Sequence, residues 1–142
     1  MKNRIRTFNL LILGGFLSGI FNLFGCGQKA HSQQAGTIEV LSVSEFETRI
    51  NETEAPQLID VRTNEEVAAG TLPGAIQINW NSNSFSVEIE SLDKDKPVYL
   101  YCRSGGRSGQ ASKALSKAGF TQIVDLKGGI TAWKAAKKQI SE

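Results

Sequence analysis

Proline, cysteine and histidine are scarce in this chain: its 142 residues include 3 Pro, 2 Cys and 1 His. With 40% hydrophobic and 21% charged residues, so little proline argues against collagen-like and disordered classes. Two cysteines allow at most one bridge, which excludes a disulfide-rich scaffold. The single histidine, His31, lies within residues 27–37 (GQKAHSQQAGT), a small, polar, aperiodic stretch that reads as a solvated tether. A catalytic base needs a fixed position, so no Cys-His or Ser-His pair is available and protease-type nucleophile activation is excluded. No cluster of His and Cys offers metal ligands, and no Gly-rich nucleotide loop of proper length is present.

Positive charge is also in short supply once its placement is considered. The formal charge is +2, but Lys2, Arg4 and Arg6 precede an apolar run, Leu10 to Ile20 (LLILGGFLSGI), in the order of an export signal. Residues 23–26 (LFGC) resemble the lipobox of bacterial lipoproteins, with Leu23, Gly25 and then Cys26 as the lipidated N-terminus of the processed chain. Removing residues 1–25 leaves 117 residues with thirteen basic and fourteen acidic side chains, a net charge of −1. That excludes the broad cationic surface needed to neutralise nucleic-acid phosphates. The expected organisation is a lipoprotein signal peptide (1–25), a lipidated tether (26–37) and one domain (38–142), membrane-anchored in the bacterial cell envelope and facing the periplasm or exterior. A retained transmembrane anchor over residues 8–25 is the alternative.

From residue 37 onward short apolar runs alternate with helical patterns. Ile38 to Leu41 reads as a strand; Ser42 and Glu45 form a capping box ahead of a helix whose buried stripe is Val43, Phe46 and Ile50. Leu58 to Asp60 reads as a second strand. Asn64 caps a short helix ending at Gly70, and Pro73 with Gly74 turns the chain into a third strand, Ala75 to Ile78. After a less regular stretch with a helical turn around Phe85 to Leu92, Pro97 to Tyr101 (PVYLY) has the uncharged, β-branched and aromatic character of a strand covered on both faces. The predicted fold is α/β, a doubly wound, mostly parallel sheet of about five strands flanked by helices.

The chemistry-bearing segment follows that strand: Cys102, Arg103, Ser104, Gly105, Gly106, Arg107 and Ser108, then a helix with Ala111, Ala114, Leu115 and Ala118 on one face and Gly119 at its end. A strand, a tight loop and a helix N-terminus can aim successive amides at one point above the Cys102 sulfur. Those amides, the helix dipole and the two guanidinium groups predict an anion cradle that favours a thiolate. Arginine is disfavoured at a helix N-terminus unless an anion is present, so Arg103 and Arg107 are candidate substrate-binding residues. Ser104 and Ser108 fit a cap or a ligand contact equally well.

The loop CRSGGRS resembles the active-site loop of single-domain rhodanese sulfurtransferases. Leu58 to Arg62 (LIDVR) is similar to the family's DVR strand end, Gly70 to Ala75 (GTLPGA) to its GHIPGA turn, and Leu126 to Trp133 (LKGGITAW) to its terminal LxGGxxxW segment. The resemblance covers roughly residues 38–140; Thr71 stands where the family usually has His, and Val67 where an aromatic is common. It implies a sulfurtransferase with catalytic Cys102 and a substrate loop of Arg103, Ser104, Gly105, Gly106, Arg107 and Ser108. The sulfane sulfur would come from a small anion such as thiosulfate, pass through a Cys102 persulfide, and go to a thiol or cyanide acceptor, with no metal or organic cofactor.

Asp60 lies at the carboxyl end of the second strand, the edge where open α/β sheets place their sites. Asp60 and Arg62 are read as structural support, an ion pair bracing the site loops. Gly128 and Gly129 are expected to permit close backbone approach, Trp133 to be core, and the acidic pairs Glu65/Glu66 and Glu52/Glu54 to be solvated faces. Two other functions stay open: a non-catalytic persulfide carrier, and a phosphatase or arsenate reductase. The latter use Cys-x5-Arg, whereas here the sixth position after Cys102 is Ser108 and the arginine comes one residue earlier.

Overall fold

A computed structural model describes residues 36–141. Five strands, β1 (Thr37–Leu41), β2 (Gln57–Asp60), β3 (Ile76–Gln77), β4 (Val98–Tyr101) and β5 (Gln122–Leu126), form one sheet in the order β1-β5-β4-β2-β3. Every pairing between them is parallel. The connections therefore cross over, and their helices cover both faces. On one face α3 (Phe85–Glu88) and α4 (Gly106–Lys117) enclose Ile59, Val98, Leu100 and Ile123. On the other, α1 (Val43–Glu52) and α5 (Gly129–Ala135) enclose Leu58, Tyr99, Val124 and Leu126. The remaining helix, α2 (Asn64–Val67), follows β2. All four β4 residues are buried, as a central strand without charge requires.

Local chemistry explains most boundaries. The Ser42–Glu45 capping box forms as expected, with Phe46 fully buried and Val43 and Ile50 packed around it. Trp133 is core, and its indole N–H donates to the Gln139 carbonyl at 2.8 Å. Three expectations need correction. The cap of α2 is Thr63, paired with Glu66 in a capping box, and Asn64 is already helical. The third strand keeps only Ile76 and Gln77, because the Ala75 amide bonds back to Leu72 in the turn and the Ile78 amide reaches Asp60 as the chain leaves the edge. The first strand begins one residue earlier, since Thr37 already pairs with Gln122.

The C-terminal segment returns to the turn before β3, where Thr71 and Ser141 exchange backbone hydrogen bonds at 2.9 and 2.8 Å. Thr71, the departure from the usual family residue, is thus held by its backbone. The expected signal peptide, Cys26 and the tether up to residue 35 lie outside the described residues. Among the described residues no helix is long and apolar enough to cross a membrane.

Candidate active site

Cys102 follows β4 directly and is buried at the carboxyl edge of the sheet. The chain then reverses through Gly105, whose φ of +107° is a left-handed conformation that glycine adopts without a Cβ penalty. This turn aims the Gly105 amide at the Cys102 Sγ, 3.0 Å away, and starts α4 at the next residue. Gly106 has no such constraint: a Cβ there would meet nothing within 4 Å. Of the two glycines expected to fold the loop, only Gly105 is demanded by backbone conformation.

The far side of the loop is fixed by α5. The Ile130 and Thr131 amides donate to the Cys102 and Arg103 carbonyls at 2.9 and 3.1 Å. With those carbonyls drawn toward α5, the loop's N–H groups are left to face the sulfur. The approach is close enough that a Cβ on Gly129 would lie 2.3 Å from the Cys102 carbonyl oxygen. The expected role of the Gly128–Gly129 pair is therefore realised at Gly129, where φ is +58°.

Burial pushes the Cys102 thiol up, but the Ser108 hydroxyl and the amides of Ser108, Gly105 and Ser104 favour the anion more strongly. The net result is a thiol more acidic than an ordinary cysteine. Ser108 is fully buried, with its hydroxyl 3.5 Å from Sγ, which places it on the sulfur. Ser104 is exposed and contributes its amide.

The two arginines part company. Arg103 is exposed and lines a cleft of about 220 Å³ together with Thr131, Lys134 and Glu66. Arg107 is engaged within the protein, because its guanidinium forks onto the Glu66 carboxylate at 2.6 and 2.7 Å. It remains close enough to Cys102 to feel its charge. This corrects the reading of Glu65/Glu66 as a solvated face: Glu66 is a buttress of the site, held well below the usual carboxylate range at about 2 by Arg107. A separation of 41 residues hides such a pair from any local pattern.

Asp60 and Arg62 form the expected brace. Both are buried, and the guanidinium lies 2.6 Å from the carboxylate. Arg62 also donates to the Glu66 carbonyl at 3.1 Å and the Gly70 carbonyl at 2.8 Å. The carboxylate thus orients Arg62, Arg62 fixes the α2 backbone, and α2 presents Glu66 to Arg107. Asp125 on β5 was not singled out in the sequence, where it sits inside an apolar strand; it is 4% exposed, against α4. A cavity of about 310 Å³ between α1 and α5, lined by Ile50, Leu72 and Trp133, includes none of the loop residues. Among the described residues no group of three or more His, Cys, Asp or Glu is placed to hold a metal ion.

Residues 42–136 match the family model described as a rhodanese-like domain. The chain belongs to the rhodanese-like family. Within it, the chain is 39% identical over 85 residues to a sulfurtransferase of Allochromatium vinosum, covering 60% of this chain and 78% of that protein. It is also 39% identical over 101 residues to YtwF of Bacillus subtilis, covering 71% and 95%. A crystal structure of a rhodanese-like domain protein from Staphylococcus aureus superposes with a TM-score of 0.60 at 29% identity, over 67% of this chain and 90% of that one. This rhodanese-like chain therefore has the α/β fold expected of it and sulfurtransferase relatives.

Proposed function

We propose that the protein moves a sulfane sulfur from a small anionic donor such as thiosulfate to a thiol or cyanide acceptor through a persulfide on Cys102. The observation that carries this reading is the cradle around Sγ: the Gly105 amide at 3.0 Å, the Ser108 hydroxyl at 3.5 Å and a thiol made more acidic by them. The Cys102 thiolate attacks the outer sulfur of the donor. The new S–S bond forms as the donor's own S–S bond breaks, and that electron pair leaves on sulfite. The persulfide's terminal sulfur carries the negative charge, and the loop amides are placed to hold it. An acceptor nucleophile then takes the terminal sulfur and returns the Cys102 thiolate.

In this scheme Arg103, exposed at the cleft beside the loop, attracts the anionic donor, and Arg107 supplies charge from a fixed position on Glu66. Phosphoryl transfer fits less well. Its Cys-x5-Arg loop directs the arginine onto the phosphoryl group, whereas Arg107 comes one position early and is committed to Glu66. The proposed setting is the bacterial cell envelope, with the domain tethered to a membrane through lipid on Cys26. Steady-state turnover of thiosulfate and cyanide tests the activity. Thiocyanate production lost in Cys102→Ser with an unchanged melting temperature is expected, because an alcohol cannot form a persulfide. Stoichiometric sulfur loading without turnover would instead indicate a carrier, and hydrolysis of aryl phosphates dependent on Cys102 would overturn the reading.

A further inference from the structure

The cleft of about 220 Å³ beside the Cys102 loop carries positive charge that the protein does not neutralise. Its lining includes three cations, Arg62, Arg103 and Lys134, and one carboxylate, Glu66. Two of these charges are cancelled internally: Arg62 is buried on Asp60 at 2.6 Å, and Glu66 is held by the Arg107 fork at 2.6 and 2.7 Å. Arg103 and Lys134 are exposed, and neither forms an ion pair among the described residues. A lysine in the last turn of a helix suits the helix dipole, which accounts for Lys134 taken alone. The dipole does not account for an unpaired arginine from a different element in the same cleft, where an anion would join the two.

The walls of the cleft are already fixed. The Thr131 amide holds the Arg103 carbonyl at 3.1 Å, and α5 carries Thr131 and Lys134 three residues apart on one face. On the opposite side of the sequence, Arg62 holds the α2 backbone through the Glu66 carbonyl at 3.1 Å. A ligand therefore does not have to order these elements. The cleft is also smaller than an ordinary small-molecule pocket, so it suits a charged group of a few atoms.

Cys102 itself does not line this cleft; its Sγ faces the Gly105 amide and the Ser108 hydroxyl on the inner side of the loop. Thiosulfate and cyanide carry their charge within a bond or so of the reacting atom, which keeps that charge at the loop. A charge that reaches Lys134 must be several bonds from the reacting sulfur. The second half of the transfer favours such a molecule, because the persulfide's outer sulfur stands one S–S bond, about 2 Å, beyond the buried Sγ.

The geometry points to Lys134, together with Arg103, as a specificity-determining subsite that selects sulfur acceptors carrying a carboxylate several bonds from their thiol. The subsite deepens the proposed transfer and rests on the Cys102 persulfide. The acceptor thiol gives its proton to water, and the thiolate attacks the outer sulfur of the persulfide. A new S–S bond forms on the acceptor as the Cys102 S–S bond breaks, and the electron pair returns to Sγ. Throughout, the remote carboxylate stays on Lys134 and Arg103, with the exposed Thr131 hydroxyl beside them.

The test measures sulfite release from thiosulfate by the full chain while the acceptor is varied among ω-mercaptohexanoate, its neutral amide and cyanide. The two thiols differ only in charge at the far end. Wild type should show a KM for the carboxylate about fivefold below that of the amide at equal kcat, the scale of one partly exposed ion pair. High salt should erase the difference. Lys134→Gln, at an exposed position, should raise the carboxylate KM to the amide value without changing kcat, and Lys134→Arg should keep the preference. Equal KM values for the two thiols in wild type, or a preference undiminished in Lys134→Gln, would overturn the inference. So would a Lys134→Gln effect of the same size on cyanide, which marks a merely structural role. Absence of turnover with every acceptor, cyanide included, would fault the thiosulfate reading instead. The inference is then decided by how fast Cys102 captures the symmetrical disulfides of the same two thiols, read as mixed disulfide on the Cys102 peptide. A preference of about fivefold for the carboxylate, lost in Lys134→Gln, is expected, and equal rates would overturn it.

Discussion

The Glu66–Arg107 pair offers the most quantitative test of how the site is held. It joins α2 to the first turn of α4 through two contacts of 2.6 and 2.7 Å. Pairing lowers the Glu66 carboxyl from 4.5 to about 2, chiefly through the Arg107 hydrogen bonds, against an opposing effect of burial. At about 1.4 kcal/mol per pKa unit, that difference sets a ceiling of roughly 3 kcal/mol. The two side chains are still 23% and 27% exposed. Solvent screening therefore reduces the expected coupling to about 1 to 2 kcal/mol. Because the folded carboxyl is the more acidic, the contribution is complete above the unfolded value of 4.5 and is lost as pH falls toward about 2. A double-mutant cycle with Glu66→Gln and Arg107→Gln, measured by urea unfolding, reads this directly. The coupling should be about 1 to 2 kcal/mol at neutral pH and shrink through that acidic window. A neutral-pH coupling below about 0.3 kcal/mol, or one indifferent to acid, would refute the buttress.

The loop glycines should separate by conformation. Gly105→Ala forces a side chain into a left-handed backbone at a cost of about 1 to 2 kcal/mol, whereas Gly106→Ala should fold as well as wild type, since its Cβ meets open space. Gly129→Ala should cost about 3 kcal/mol or more, because its Cβ collides with the Cys102 and Arg103 carbonyls; thermal unfolding of the three variants checks the order. Cys26→Ser should leave the domain folded and able to transfer sulfur while abolishing lipid attachment, and a variant still lipidated in whole cells would overturn the lipobox reading.

Local signals made the frame and the candidate nucleophile legible. Ser42 and Glu45 are three residues apart and cap the same turn, so their interaction is written in adjacent sequence. The uncharged run ending at Tyr101, followed by Cys102 and two glycines, announces a strand that stops at a tight loop. The Asp60–Arg62 brace is also local, two residues apart on a strand end. What escaped was set by packing between distant segments. Glu66 looked like one of two surface acids until α2 brought it against Arg107. Asp125 has no local signal that singles it out, and its burial depends on α4 lying across β5. The choice of Thr63 over Asn64 as helix cap turned on one residue of register, since both types cap helices and Glu66 selects the residue three before it.

The proposed passage of sulfur through Cys102 is read in the mass of the Cys102 peptide after brief exposure of the full chain to thiosulfate and again after cyanide. A gain of about 32 Da, one sulfur atom, on Cys102 and its complete loss to cyanide with release of thiocyanate are expected. An unmodified Cys102 in protein that nevertheless produces thiocyanate, or an adduct that cyanide does not discharge, would contradict it.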